Sequence, residues 1–257
     1  RKRSSVPPGV DLKLELAALL VPFRKIGEDR LRVGVVTGAA HRPRWIDNLI
    51  EFLRQVPGLD VTLLPLSNPN SSAPQTPPWL TGRVYELGRA RFDPFGDAEH
   101  VSGAVALDEV RTGRYGVVLW LADWNPGVAP RLLAEHGTFT VRFGNGARAI
   151  PYWDEVSESR VTSEASVFWH DTSFEHGRAV RRAETATCPG LYVTLNAEQP
   201  LIATIRMLAG LCLEILSDAT CFEQRSGRAA LVPLDWRSRH EYPSSFAAGV
   251  FAAKKLA

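Results

Sequence analysis

The sequence predicts an α/β protein with a Rossmann-like, mostly parallel sheet and helices on both of its faces. Near the amino terminus, a valine-rich run at residues 31–37 is followed by an amphipathic stretch and a second apolar run at residues 60–66. This is the order of a β-α-β unit, whose two strands pair in parallel through a right-handed crossover. Residues 115–180 repeat the alternation of strand and helix, which favours one continuous sheet.

The first helix is predicted over residues 44–55. Its apolar residues recur at a spacing of three and four, which places them on one helix face, and a Pro-Gly pair ends it. The stretch at residues 67–78 is rich in serine, asparagine and proline, so it predicts a loop. A helix over residues 81–91 and a short segment at residues 107–110 are expected before the third strand.

The central segment starts with a strand at residues 115–121 and a helix predicted over residues 126–135. A second strand covers residues 136–143, a helix begins near Pro151, and the last strand covers residues 164–170. Open α/β sheets bind their ligands at the carboxyl ends of the strands. The polar loop at the end of the middle strand is therefore where a functional site is expected.

The chain is predicted to contain three parts: a basic lead-in at residues 1–30, an α/β domain at residues 31–218, and an arginine-rich connection with a carboxyl-terminal helix at residues 219–257. The domain closes on an apolar helix predicted over residues 198–217, and the final helix covers residues 243–256. The chain opens without Met and stops within an Ala-rich helix. From these two ends we expect that the sequence is a piece of a longer chain and that its carboxyl-terminal part leads to a further domain.

The composition argues against several classes of protein. A formal net charge of +2 over 257 residues gives no reason to expect nucleic acid as a partner. Cys188, Cys212 and Cys221 lack the spacing of a zinc site or a disulfide framework, so a cytoplasmic location is expected. No signal peptide is recognised, and the most apolar run, residues 200–216, is interrupted by charges and too short to span a bilayer.

The order of elements in the central segment resembles a known family. It consists of a hydrophobic strand, a helix, a strand that opens with His136-Gly, a loop with Gly and Asn, a Pro-x-Trp helix, a further strand and an acid-x-Gly turn. This pattern resembles the amino-terminal fold of formyltransferases. It is similar in particular to the formyltransferase-like domains of bacterial proteins related to glucosamine inositolphosphorylceramide transferases. The resemblance covers about residues 31–218.

The resemblance implies where a catalytic site would lie. The family uses an Asn-x-His pair on the middle strand and an Asp in a later turn to polarise the formyl carbonyl and to manage protons on the attacking amine. These positions correspond to Thr140, Arg142 and Glu175 in this sequence. Threonine lacks the reach of the amide. Arginine cannot act as a general acid or base near neutral pH, although it can stabilise an oxyanion.

Gly144, Asn145 and Gly146 follow the middle strand and are the candidate cofactor-binding residues. Asn145 is the best remaining polar amide near the expected reaction centre, and as a turn former it also tolerates positive φ. The match to Gly-x-Gly-x-x-Ala is typical of a dinucleotide site, but it comes late in the chain and just before Pro151. The resemblance implies 10-formyltetrahydrofolate as the cofactor, and the residues by themselves establish none.

Two hypotheses of function remain open. The first is a degenerate, non-catalytic formyltransferase-like module in glycan or glycolipid biosynthesis, which binds a small molecule or sugar nucleotide and is fused to or associated with a glycosyltransferase-like domain. The second is an active folate-dependent transferase that moves a formyl group to an amino sugar or another amine. In that case Arg142 would hold the oxyanion and Glu175 would assist the amine. Replacement of all three catalytic residue types favours the first hypothesis.

Two polar clusters lie outside this pattern. His170 and Asp171 end the last strand together. They are interpreted as an exposed pair, with a site pair as the alternative. Residues 225–239 hold four arginines and Trp236. Such a segment can contact an anionic lipid or a phosphosugar, although a solvated basic loop is the more common outcome.

Overall fold

A computed structural model of the chain describes residues 30–38, 43–67, 104–144, 152–188, 196–234 and 244–256. They form a seven-stranded sheet with the order β2-β1-β3-β4-β5-β6-β7. The strands are β1 (Leu31–Gly38), β2 (Leu59–Leu66), β3 (Val117–Trp120), β4 (Thr138–Phe143), β5 (Thr162–His170), β6 (His176–Ala186) and β7 (Leu231–Pro233). The helices are α1 (Arg44–Arg54), α2 (Leu107–Thr112), α3 (Trp153–Ser157), α4 (Glu198–Ser226) and α5 (Ser245–Leu256), with a 3-10 turn at Pro130–Leu132.

Strands β2, β1, β3 and β4 form the parallel half of the sheet. Val33 of β1 pairs with Val61 of β2 on one side and with Val117 of β3 on the other. The predicted β-α-β unit is confirmed, because buried valines of β1 pack under the apolar face of α1. The α/β fold class is confirmed with it, and the final helix also forms where the sequence predicts it.

Beyond β4 the sheet continues with antiparallel strands. β5 pairs with β4 from Thr138 opposite His170 to Phe143 opposite Ala165, and β6 and β7 extend the antiparallel order. The sequence predicts β5 but not its direction. It leaves β6 unassigned, because alternation of arginine and glutamate with small residues is a weak strand signal. Pairing along β5 therefore decides the conformation of this stretch.

The helix predicted over residues 126–135 is wrong, and only the 3-10 turn Pro130–Leu132 forms there. Gly127 adopts a positive φ of 69°. Its N–H donates a hydrogen bond to Asn125 Oδ1 at 2.9 Å, so a turn closed by the asparagine side chain replaces the first helical turn. Pro130 then starts the 3-10 turn, where its missing N–H is not needed.

Each face of the sheet carries its own apolar cluster. On the first face, α1 and α4 pack against alternate strand residues, among them Val35, Leu119 and Val141. On the second face, Val110 of α2 and Phe174 join residues of β1 and β3. Phe174 packs against Trp120 with 5.6 Å between the ring centroids. Helices therefore cover both faces, as predicted.

Helix α4 is longer than predicted. It was expected over residues 198–217, but it continues to Ser226 through a kink at Asp218, which has non-helical backbone angles. Asp218 Oδ1 accepts a hydrogen bond from Cys221 N at 2.8 Å and restarts the helix as its N-cap. The expected domain boundary at residue 218 falls inside this helix. β7 lies beyond it and pairs with β6 in the same sheet.

Within the described part of the chain, α4 is long and apolar enough to cross a membrane by length and composition alone. Its apolar residues, including Leu208 and Leu211, pack into the core beside the sheet. Core helices pass the same test of length and composition as membrane spans. The expectation that residues 200–216 do not span a bilayer therefore stays a prediction. The helix predicted over residues 81–91 lies outside the described residues.

Candidate functional site

Thr140 lies in the middle of β4 with its side chain fully buried. Its hydroxyl is 2.8 Å from His170 Nε2 on the neighbouring strand β5. The two residues face the same side of the sheet, since His170 pairs directly with Thr138. The hydroxyl at the position of the family's amide is therefore paired within the core.

His170 is a buried residue whose importance the sequence did not reveal. Its ring stacks on Phe174 with 5.1 Å between centroids. Nδ1 lies 3.1 Å from the carbonyl oxygen of Ser173 and 3.0 Å from that of His176, and both oxygens can only accept. In the neutral ring the proton therefore sits on Nδ1, which makes Nε2 the acceptor for Thr140. The interpretation of His170 as an exposed residue is wrong, because the ring is fully buried.

Arg142 lies two residues beyond Thr140 on the same face of β4. Its Cζ sits 5.0 Å from the centroid of the Phe168 ring, and its side chain is half-buried. Nε is buried without a hydrogen-bond partner among the described residues. Burial lowers the pKa of Arg142, an effect that Glu164 opposes and Arg182 reinforces. The guanidinium nevertheless remains a cation at physiological pH.

Charged residues of β5 and β6 lie on the same face of the sheet as Arg142. Glu164 is the carboxylate that acts on Arg142 electrostatically, but its Oε1 also lies 3.1 Å from Arg182 Nε. The hydroxyl of Ser166 donates a further hydrogen bond to the same carboxylate. Glu184 of β6 lies directly opposite Glu164, so two arginines and two glutamates occupy this face. The sequence pattern did not predict this cluster because β6 was not recognised as a strand.

Glu175 is exposed in the turn between β5 and β6. Its N–H donates a hydrogen bond to Ser173 Oγ at 3.0 Å. The turn follows His170, whereas Arg142 pairs with Ser166, which lies four residues earlier on β5. Four residues of strand span about 13 Å. The structure therefore does not bring Glu175 together with Arg142.

Gly144 directly follows β4 and has a positive φ of 64°. The buried carboxylate of Glu155 in α3 lies so close that a Cβ on Gly144 would be 2.5 Å from Glu155 Oε1. Tyr152 precedes α3, also with positive φ, and its buried hydroxyl lacks a hydrogen-bond partner among the described residues. Burial raises the pKa of Tyr152. Packing against α3 is thus a sufficient reason for glycine at position 144.

We expect Gly144→Ala to destabilise the protein by about 2–4 kcal/mol, since the new methyl group meets the Glu155 carboxylate in an unfavourable backbone conformation. Gly127→Ala is the matched control. Gly127 has φ of 69° and nothing within 4 Å of an added Cβ, so this variant should lose only the backbone contribution of about 1–2 kcal/mol. Denaturant unfolding of both variants measures the difference. Equal losses would contradict a steric role for Glu155.

Asn145 and Gly146 lie outside the described residues, so their assignment to cofactor binding stays a prediction, as does that of Gly144. The described residues contain no group of three or more His, Cys, Asp or Glu side chains that could hold a metal ion. A shallow depression of about 480 Å³ is lined by residues of α1 and by Leu63 of β2. It lies at the β2 side of the sheet, away from Arg142.

The described part of the arginine-rich segment contains Arg225 and Arg228, and Arg225 belongs to an ion-pair network. Arg225 pairs with Glu214 within α4, and Glu214 also pairs with Arg181 of β6. Trp236 and the two arginines after it lie outside the described residues. The contact with an anionic lipid or phosphosugar therefore stays a prediction. Cys212 is fully buried, as expected for a small core residue, and burial raises the pKa of its thiol to about 12.

No protein-family model and no curated protein matches this sequence. Solved structures match it at low identity. A variant of HypX from Aquifex aeolicus is 10% identical with a TM-score of 0.43, covering 89% of this chain and 36% of HypX. An N-formyltransferase from Helicobacter canadensis, in complex with folinic acid and dTDP-3-aminofucose, is 10% identical with a TM-score of 0.37, covering 83% of this chain and 71% of its own.

A formyltetrahydrofolate deformylase from Pseudomonas putida is 14% identical with a TM-score of 0.40, covering 81% of this chain and 71% of its own. This chain spans only about a third of the length of HypX, from 30% to 36% in the structures compared. All of these TM-scores lie below 0.5. The likenesses therefore carry no argument about the activity or the ligands of this chain.

Proposed function

We propose that this chain is a degenerate formyltransferase-like module, which has lost formyl transfer and acts by binding a small molecule. The observation that carries the proposal is the buried hydrogen bond between Thr140 and His170. At the position where the sequence resemblance implies a catalytic amide, the side chain makes a contact that holds two strands together. A hydroxyl used in this way does not polarise a formyl carbonyl.

The other two predicted positions support the same proposal. Formyl transfer needs an oxyanion donor and a proton acceptor positioned around the same carbonyl and amine. Arg142 cannot exchange a proton near neutral pH. Glu175 lies in an exposed turn beyond His170, separated from the level of Arg142 by about four residues of strand, or roughly 13 Å.

The biological setting of the module is also part of the proposal. From the resemblance it includes a sugar nucleotide or another small molecule as ligand and a role in glycan or glycolipid biosynthesis, and from the cysteine pattern it includes a cytoplasmic location. It also includes a glycosyltransferase-like domain that is fused to or associated with the chain. Folate is the first ligand to test, because the resemblance implies 10-formyltetrahydrofolate.

A turnover assay tests the loss of transfer. The protein is incubated with 10-formyltetrahydrofolate and a panel of amino-sugar nucleotides, and tetrahydrofolate is measured. We expect no tetrahydrofolate above the level without protein. Formation that disappears in Arg142→Ala but persists in Arg32→Ala would instead establish an active transferase. Arg32 is a suitable control, since it also lies over an aromatic ring, Tyr115, at 5.3 Å, but near the amino end of β1.

Thermal unfolding with the 5-formyl analogue separates binding from turnover. A ligand that binds only the native state raises the unfolding midpoint in a saturable way. A saturable rise without turnover would identify folate as the ligand of a non-catalytic module. No rise at high concentration would direct the search to other small molecules.

A further inference from the structure

Most of one edge of β6 is unpaired among the described residues. β7 pairs only with residues 176–178 of β6, and residues 179–186 form no backbone hydrogen bond on that side with another described residue. Arg182, Glu184 and Ala186 are exposed along this edge. A free strand edge presents N–H and C=O groups that can pair with another strand. The edge of residues 179–186 is therefore a candidate surface for contact with another chain.

The alternation of hydrogen bonds along β6 identifies the backbone groups that face outward. The register with β5 is regular from residue 181 to residue 186, and Thr187 N donates to Val161 O at 2.9 Å. Hydrogen-bonded positions alternate with non-hydrogen-bonded ones in an antiparallel pair, so residues 181, 183 and 185 bond to β5. The N–H and C=O groups of Arg182 and Glu184 therefore point away from β5.

The side chains of Arg182 and Glu184 lie on the face of the sheet opposite α4, because Arg181 between β5 and this edge pairs with Glu214 of α4 on the other face. Arg182 Nε lies 3.1 Å from Glu164 Oε1. Glu184 lies directly opposite Glu164 and forms no ion pair with a described residue. Like charges directly opposite each other are destabilising. A cation on the free side of Glu184 would therefore be favourable.

From this edge we propose that β6 pairs with β6 of a second copy of the chain, in antiparallel order around a two-fold axis at Ala183. In this register Arg182 lies opposite Glu184 of the second copy, and the reverse pair forms on the other side of the axis. The outward N–H and C=O groups of both residues then form hydrogen bonds across the axis. Each Glu184 gains the cation that it lacks within its own chain.

The order of charges favours this register over its neighbours. An axis at Arg182 or at Glu184 would place two like charges directly opposite each other. Ala183 lies on the axis in a non-hydrogen-bonded pair, where the side chains of two strands are closest, and its methyl group leaves room for the approach. Charges on a strand edge normally prevent pairing between copies. Here the sign reverses about Ala183, so the same charges attract a copy related by a two-fold axis.

The contact is one pair of strands, which is small compared with a standard protein interface, so we expect a reversible dimer. It goes beyond the proposed function and does not depend on it. Sedimentation velocity of the chain at about 1–200 μM measures the dissociation constant, in a range suited to weak interfaces. We expect a concentration-dependent rise from the mass of the monomer toward that of the dimer.

Charge reversal tests the register. Glu184→Arg keeps the pair of Arg182 with Glu164 and places a cation opposite Glu164, so the monomer should stay folded, as circular dichroism can verify. We expect it to raise the dissociation constant by about tenfold or more, since two opposite-charge pairs become like-charge pairs. The double variant Arg182→Glu/Glu184→Arg restores opposite charges across the axis and should dimerise again. Arg32→Glu, which reverses an exposed charge on β1, should dimerise as the parent does.

Amide hydrogen exchange, resolved by residue with NMR, tests the backbone pairing. The amides of Arg182 and Glu184 face outward and should exchange slowly only at high protein concentration. The amides of Arg181 and Ala183 bond to β5 and should be protected at every concentration. This alternation distinguishes strand pairing from a contact made by side chains alone.

Four results would overturn the interface. They are a monomer at every concentration, a dimer with an unchanged dissociation constant in Glu184→Arg, a double variant that stays monomeric, and concentration-dependent protection that omits the amides of residues 182 and 184. None of these measurements requires a ligand or turnover. A failure of this interface is therefore distinguishable from a failure of the proposed function.

Discussion

The variant His170→Ala is expected to lose about 3–5 kcal/mol of the free energy of unfolding, because it combines a cavity with several unpaired polar groups. The imidazole is fully buried and stacks on Phe174. Its removal leaves the hydroxyl of Thr140 and the carbonyl oxygens of Ser173 and His176 without this ring as a partner. Denaturant unfolding followed by circular dichroism measures the loss.

Two further variants make this prediction specific. Thr140→Val keeps the shape of the threonine and removes only the hydroxyl, so it should cost about 1–3 kcal/mol by leaving Nε2 unpaired. Asp171→Ala changes the adjacent residue, which is not buried, and should stay within about 0.5 kcal/mol of the parent. A His170→Ala variant as stable as Asp171→Ala would contradict the structural role of the histidine. It would also remove the main support for the proposed loss of catalysis.

The second large effect is expected for Phe222→Ala, with a loss of about 3–5 kcal/mol. Phe222 is fully buried and lies 5.8 Å from Phe139 of β4 and 5.8 Å from Trp169 of β5, measured between ring centroids. It belongs to the part of α4 beyond the kink at Asp218. The variant therefore removes the aromatic contacts of this part of the helix with the centre of the sheet, while the contact of Glu223 with His136 at 3.0 Å stays.

Phe246→Ala is the control for Phe222→Ala, because it deletes the same side chain at a position that is 81% exposed. We expect it to change the free energy of unfolding by less than about 0.5 kcal/mol. A chain that ends at residue 218 tests the same contact in another way. It lacks Phe222 and β7 and should not reach the stability of the full chain. An equally stable truncated chain would support the domain boundary that the sequence predicted.

Part of the candidate site could be predicted from the sequence. The strand that carries Thr140 and Arg142 was predicted from its apolar residues, and the structure places both side chains on one face of it. The residues that contact Thr140 and Arg142 could not be predicted. His170, Phe168 and Glu164 lie more than twenty residues away in sequence, and only the antiparallel pairing of β5 with β4 brings them to the same place.

Reliance on hydrophobic periodicity also explains where the prediction of secondary structure failed. Residues 126–135 contain apolar positions at helical spacing, but Pro126, Gly127 and Pro130 remove the backbone conformations and donors that a helix needs. β6 shows the opposite case, since its charged residues give little strand signal and its partner strand supplies the hydrogen bonds. In both regions the secondary structure is decided by something other than hydrophobic periodicity: by prolines and a glycine in the first, and by the partner strand in the second.

The sequence by itself determined the α/β class, the β1-α1-β2 unit and the position of the middle strand, because hydrophobic periodicity and β-branched runs are local properties. The tertiary structure alone decided the direction of β5, the continuation of α4 to Ser226 and the buried pairing of Thr140 with His170. These features depend on which distant side chains meet in the core. This packing decides whether a polar side chain is buried. A buried polar group needs a hydrogen-bond partner within the protein, whereas the same group at the surface can bond to water.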